Sequence, residues 1–148
     1  MILIAHRGNI SGPNPEMENR PEYVKKAIDL GYNVEVDVWY ENNQLFLGHD
    51  GPQYKIKDDF LDNDLLWCHA KNTQALQKLI DLGIHYFWHD IDAHTITSRG
   101  FVWSYPGSTL TSNSICVMPE SAPDFYSDKD FKNCKGVCSD YIGEIHSA

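Results

Sequence analysis

The segment Val34–Trp39 reads V-E-V-D-V-W, and it constrains the chain more than any other stretch. In a β-strand successive side chains point to opposite faces. Val34, Val36 and Val38 then form one apolar face, while Glu35, Asp37 and Trp39 share the other. Two carboxylates at i and i+2 on one face repel each other unless a cation sits between them, and a divalent metal is the simplest such cation. The plain alternative is a half-buried strand whose polar face meets water. Position along the chain bears on the choice, because His6-Arg7-Gly8 precedes the strand and Gly48-His49-Asp50 follows it. Three chemically armed clusters separated by core elements have the organisation of a site.

The intervening sequence supplies those elements. Met1–Ala5 is a short apolar run that reads as a buried strand feeding His6. A Gly/Pro-rich loop from Asn9 to Met17 leads to a helix start at Asn19-Arg20-Pro21-Glu22, where Asn19 can cap, Pro21 suits the first turn and Glu22 completes a capping-box spacing. That helix runs to about Leu30, with Val24, Ala27 and Ile28 inward and Gly31 as its stop. After the carboxylate strand, Glu41-Asn42-Asn43 turns the chain into a short strand, Gln44–Leu47, and the hairpin delivers His49. Tyr54 to Asn63 reads as a polar connector with an apolar Phe60-Leu61 contact.

Leu65–Lys71 is a third core strand, with Trp67, His69 and Lys71 on one face. Asn72 or Thr73 caps a second helix carrying Ala75, Leu76, Leu79 and Ile80, and Gly83 ends it. Ile28-Asp29-Leu30-Gly31 matches Ile80-Asp81-Leu82-Gly83, each ahead of a strand (Ile84–His89 in the second case). This repeat predicts α/β winding around a parallel sheet. Phe101–Tyr105, Ser114–Met118 and Gly136–Ser139 are also strand-like, with at most a one-turn helix around Asp124–Phe131 among their connectors.

At 148 residues the chain reads as one domain, 1–148, large enough for a real core. Its 12 basic residues face 21 acidic ones, a net charge of −9. Nucleic acids and anionic membranes select basic surfaces, so neither is expected as a partner. No apolar run reaches the roughly 18 residues of a spanning helix, so stable membrane insertion is not expected either. The N-terminal run lacks a basic region and the length of a signal-peptide core, so the expected location is cytoplasmic. Cys68, Cys116, Cys134 and Cys138 are then expected as reduced core thiols, because Cys134-x3-Cys138 has no second metal-binding pair at finger spacing. Nothing in the sequence sets the oligomeric state.

With these pieces in order, the chain resembles the glycerophosphodiester phosphodiesterase family, within the phospholipase-C-like barrel superfamily. The residues that carry the resemblance are Ile4-Ala5-His6-Arg7-Gly8, Glu18-Asn19, Val34-Glu35-Val36-Asp37-Val38 and Leu47-Gly48-His49-Asp50. Val102-Trp103-Ser104 and Val137-Cys138-Ser139-Asp140-Tyr141 are weaker echoes of the family's late strands. The resemblance implies an abridged TIM-like (β/α) barrel, with about seven barrel strands, an early β-hairpin and few outer helices. It also implies a divalent metal at the C-terminal mouth of the strands, held by Glu35 and Asp37. His6 and His49 would transfer protons, with His6 favoured as base and His49 as acid, though the sequence leaves the order open. Arg7 would hold the phosphate of a small phosphodiester substrate, with Lys71 and Trp103 as further substrate-binding residues.

Two departures from the family pattern are visible. The family's third strand offers Glu-x-Lys, whereas this chain has His69-x-Lys71. With His69 as the third ligand, the metal implied by the resemblance, Mg²⁺ or Ca²⁺, gives way to Mn²⁺ or Zn²⁺ as an alternative. The insertion that shapes the glycerol side of the family's pocket is missing, since only Gly51–Asp64 separate His49 from the third strand. Two further readings follow: a related phospholipase-type enzyme acting on a non-glycerol diester, and a noncatalytic module that binds metal and phosphate. Glu120 is an additional candidate for the barrel mouth. His85, His89, His94 and His146 have no partner spacing and receive no role.

Overall fold

Strand register, which no single segment reveals, decides the architecture. The computed structural model describes residues 1–145. The elements are β1 (Ile2–His6), α1 (Pro21–Asp29), β2 (Asn33–Glu41), β3 (Gln44–Leu47), β4 (Tyr54–Ile56), β5 (Leu66–Ala70), α2 (Thr73–Leu82), β6 (Tyr86–Phe87), β7 (His94–Ile96), β8 (Val102–Ser104), β9 (Ser114–Val117), α3 (Asp128–Asn133) and β10 (Gly136–Ser139). All ten strands belong to one curled sheet. Its parallel ladders join β6, β5, β2, β1, β10, β9 and β8 in that spatial order. The strands β3, β4 and β7 are antiparallel additions.

β2 is long enough to serve three neighbours. The Glu35 and Asp37 carbonyls accept from the Arg7 and Gly48 N–H groups, so β1 and β3 share one edge of β2. The Val38 carbonyl accepts from the Lys71 N–H on the other edge, beside β5. The hairpin turn at Asn42-Asn43 has positive φ at both residues (51° and 60°), the conformation a tight right-twisted hairpin demands and asparagine tolerates.

The core lies on both faces. Val34, Val36 and Val38 are fully buried and pack towards the helices with Val24, Ala27, Ala75 and Leu79. The inner face of the curl is filled by Ile4, Trp67, Phe87, Trp103, Ile115, Val117 and Cys138. Trp103 lies 4.6 Å from Phe87 and 5.7 Å from Trp67 between ring centroids, so the curl brings β8 against β5 and β6.

The abridged TIM-like barrel expected from the sequence does not form. A TIM barrel follows each strand with a helix, and the described residues hold only three α-helices. The run after β2 is spent on the β3–β4 hairpin, the run after β6 on antiparallel β7, and residues 105–113 join β8 to β9 without a helix. No ladder joins β6 to β8 among the described residues, so the sheet curls without closing. The expected connector Tyr54–Asn63 also holds a strand, β4, and a 3-10 turn, Asp58–Leu61, that buries Leu61. No helix of the described residues is long and apolar enough to cross a membrane.

Candidate functional site

Parallel register puts the armed residues side by side. His6 pairs with Glu35 across β1–β2, and Asp37 pairs with His69 across β2–β5. Register neighbours on adjacent strands share a face, so His6, Glu35, Asp37 and His69 all point into the curl. There they line a cavity of about 340 Å³ with Arg7, His49, Lys71, Trp103 and, beyond those expected, His89, Asp90 and Tyr105. Glu35 and Asp37 are 3% and 1% exposed, which removes the reading in which the polar face of β2 meets water.

At the centre, donor atoms of Glu35, Asp37 and His69 lie within 4.8 Å of one another. His69 Nδ1 is 3.3 Å from Asp37 Oδ1 and 3.6 Å from Glu35 Oε2, and its ring stacks on Phe87 at 4.8 Å. Burial opposes the charge on His69, but the two carboxylates outweigh it and push its pKa up to about 9. Burial likewise opposes the charge on Asp37, and His69, Arg7 and Asn19 hold its carboxyl down at about 2. Glu35 Oε1 is buried with no hydrogen-bond partner among the described residues. An orphaned carboxylate oxygen in the interior is costly, and a cation satisfies it. Two carboxylates and an imidazole at this spacing therefore fit a divalent metal, which would displace the proton that the carboxylates otherwise hold on His69.

The two shoulders of the centre are built by strained or polar backbone. Arg7 adopts φ 56°, uncommon for a side chain of its size, and Gly8 follows at φ 90°. A Cβ on Gly8 would come within 2.8 Å of the Tyr23 ring, so glycine is required there. The turn leaves Arg7 with its Nη1 donating to Glu18 Oε1 at 3.1 Å and its Nε 3.3 Å from Asp37 Oδ2. Asn19, expected to cap the first helix, does not. The cap position is Arg20, with no side-chain cap bond. Asn19 instead sits at φ 66° and is buried; its Nδ2 donates to Asp37 Oδ2 at 2.9 Å and its Oδ1 accepts from the Asp37 N–H at 3.0 Å.

His6 is fixed by a residue that sequence reasoning did not select. Asp140, directly after β10, places Oδ1 2.7 Å from His6 Nδ1 and also accepts from Asn9 Nδ2 at 2.8 Å. Tyr23 Oη in turn donates to Asn9 Oδ1. Burial opposes protonation of His6, yet the Asp140 hydrogen bond and the field of Glu35 leave its pKa above the ordinary value. His6 Nε2 has no partner among the described residues, so the ring presents that nitrogen to the cavity.

The remaining candidates separate. His49 is on the cavity rim, its side chain 43% exposed and its Nδ1 2.8 Å from Asp50 Oδ1. Gly48 before it cannot be replaced without overlap, since a Cβ there would collide with the Gly51 carbonyl. Lys71 lines the cavity just past β5, and Trp103 forms its buried floor. Glu120 is not at the site; its carboxylate accepts from Ser139 Oγ in a separate groove. His85 is buried against Thr97, His94 bonds Ser104, and His146 lies outside the described residues. His89, given no role from the sequence, lines the cavity. The signal for Asp140 and His89 was positional: each follows closely on a strand, as His6 ends one.

Comparison with protein-family models, with curated proteins and with solved structures found no match.

Proposed function

We propose that this chain is a metal-dependent phosphodiesterase with the chemistry of the glycerophosphodiester phosphodiesterases that its motifs resemble. The observation that supports it most is that one cavity receives both an acid–base histidine pinned by a carboxylate and the buried Glu35–Asp37–His69 set. A surface held together only for stability has no need of an orphaned carboxylate oxygen and a histidine with its outer nitrogen free.

In this reading Glu35, Asp37 and His69 hold the ion, Mg²⁺ or Ca²⁺ by resemblance and Mn²⁺ or Zn²⁺ by the imidazole in the set. Bound there, the ion supplies Lewis-acid stabilisation of charge on the phosphate oxygens. Arg7 and Lys71 neutralise the same charge from the protein side. Asp140 accepts the His6 Nδ1 hydrogen, so in the neutral ring the lone pair is on Nε2, the form that takes a proton from a hydroxyl of the substrate's own alcohol arm as that hydroxyl attacks phosphorus and the other alcohol departs. His49 on the rim returns a proton to the departing alcohol. Trp103 closes the floor. A cytoplasmic location belongs to the same proposal.

The test is hydrolysis of a small diester panel by metal-stripped protein refilled with Mg²⁺, Ca²⁺, Mn²⁺ or Zn²⁺, with His6→Ala as control. The panel holds glycerophosphocholine, glycerophosphoethanolamine, a lysophospholipid and a chromogenic diester. Metal-dependent turnover that disappears in His6→Ala is the expected result. Metal binding without turnover on any substrate overturns the enzyme reading.

A further inference from the structure

Strand β2 carries a third residue on the face of Glu35 and Asp37, namely Trp39, and it does not line the cavity. Its indole reaches across the hairpin instead. Trp39 Nε1 donates to the Gly48 carbonyl at 2.7 Å, and the Gly48 N–H donates to the Asp37 carbonyl at 3.1 Å. Both backbone polar groups of Gly48 are therefore held by β2. The carbonyl that Trp39 grips belongs to the peptide leading into His49. A peptide unit is planar, so a bond to its oxygen also orients the His49 N–H and restricts the His49 Cα.

His49 depends on such a hold more than His6 does. His6 ends a strand and is pinned by Asp140, whose side chain is only 11% exposed. The His49 ring is bonded to Asp50, whose side chain is 93% exposed. An exposed pair of this kind fixes a ring weakly. The placement of His49 at the cavity rim must then come from its backbone, and Trp39 is the side chain that ties that backbone to β2.

Resting on the phosphodiesterase reading, in which His49 protonates the departing alcohol, we propose that Trp39 is a positioning residue. Its indole N–H acts through the Gly48–His49 peptide to set His49 relative to the Glu35, Asp37 and His69 cluster. One strand then holds both the metal ligands and the proton donor in register. A misplacement of about 1 Å at such a site can cost about 10²-fold in rate.

The experiment compares two diesters that share a glycerol arm and differ in the group that leaves: glycerophosphocholine and glycerol 4-nitrophenyl phosphate. Choline departs as an alkoxide that needs a proton, whereas 4-nitrophenolate is stable as the anion. Wild type, His49→Ala, Trp39→Phe and the double variant are assayed with Mg²⁺, Ca²⁺, Mn²⁺ or Zn²⁺, whichever gives wild type its fastest turnover. His49→Ala is expected to lose about 10²-fold in kcat on glycerophosphocholine and less than about threefold on the nitrophenyl ester. Trp39→Phe keeps a ring and removes the donor. It should lose about tenfold in kcat on glycerophosphocholine, with KM unchanged and the nitrophenyl ester spared. The double variant should be no slower than His49→Ala, because a residue that acts through His49 then has nothing to position. No loss in Trp39→Phe, an equal loss on both esters, a loss confined to KM, or additive losses in the double variant overturns the role of Trp39. So does an equal loss on both esters in His49→Ala, since His49 is then not the proton donor. A second measurement needs no variant: in wild type the Trp39 Nε1–H should exchange with solvent at least about tenfold more slowly than a free indole. An unprotected Nε1–H overturns the inference. Wild type that hydrolyses neither ester with any of the four ions overturns the phosphodiesterase reading, and this inference with it.

Discussion

Asp140 and His6 are 134 positions apart in the chain and 2.7 Å apart in space, Oδ1 to Nδ1. The strands that carry them, β10 and β1, are parallel neighbours, and Ala5 pairs with Ser139 immediately before the two residues. The contact settles which nitrogen of His6 faces the cavity. Asp140→Asn keeps an acceptor oxygen but removes the charge that stabilises a protonated ring. Turnover of a responsive diester is expected to fall about 10²-fold, the low end of what acid–base groups contribute. Metal affinity, measured by equilibrium dialysis, should hardly change. Equal losses of both would make Asp140 a structural residue.

The unpartnered Glu35 Oε1 predicts stabilisation by metal. A ligand that binds only the folded chain at about 100 times its dissociation constant adds about 2.7 kcal/mol, or roughly 5–10 °C in Tm for a domain of this size. The shift should follow ion concentration, reverse with chelator and vanish in Glu35→Gln. An equal shift in that variant would place the ion elsewhere.

Asn19 holds Asp37 by two hydrogen bonds, one to its carboxylate and one from its backbone N–H. Asn19→Ala leaves the Asp37 N–H unpaired in the interior, takes one donor from a carboxylate that keeps Arg7 and His69, and puts a residue with no local side-chain hydrogen bond at φ 66°. A loss of about 2–4 kcal/mol in denaturant unfolding is expected. Metal affinity should drop about tenfold, as when a group supporting a ligand is removed. Unchanged affinity with lost stability would confine Asn19 to a folding role.

The alternation in Val34–Trp39 was legible because period 2 is a local property, and both faces are as the residues dictate. So were α1, α2 and the hairpin, whose stops and turns are carried by Gly31, Gly83 and Asn42-Asn43. What the sequence could not carry was what fills the space between strands. The repeat ahead of β2 and Ile84–His89 pointed to α/β winding throughout, but the second of these strands shrinks to Tyr86–Phe87. The chain then turns back as β7, and the expected barrel gives way to an open curl. Asn19 shows the same limit at one residue. Its cap propensity was a fair local reading, and tertiary contact with Asp37 overrode it. Asp140 needed the β1–β10 register, a relation between the two ends of the chain.

His85 provides a pH test away from the Glu35, Asp37 and His69 cluster. Its side chain is buried, with Nε2 2.7 Å from Thr97 Oγ1 and its ring 4.2 Å from Trp67. Burial, with the nearby Arg99 charge, lowers its pKa to about 4. In the unfolded chain the same ring takes a proton near its ordinary value of about 6.5. Between these values the unfolded state binds more protons than the folded one, so acid favours unfolding. The stability contributed by neutral His85 is complete above pH 6.5, declines as pH falls towards 4, and is fully lost below that. The loss amounts to about 3 kcal/mol at most, at 1.36 kcal/mol per unit. Comparing wild type with His85→Gln by urea unfolding isolates this group from the other histidines. The advantage of wild type at pH 7 should shrink, and can reverse, by pH 4.5. A difference between the two proteins that is the same at both pH values would mean that His85 titrates in the folded protein as it does in the unfolded chain.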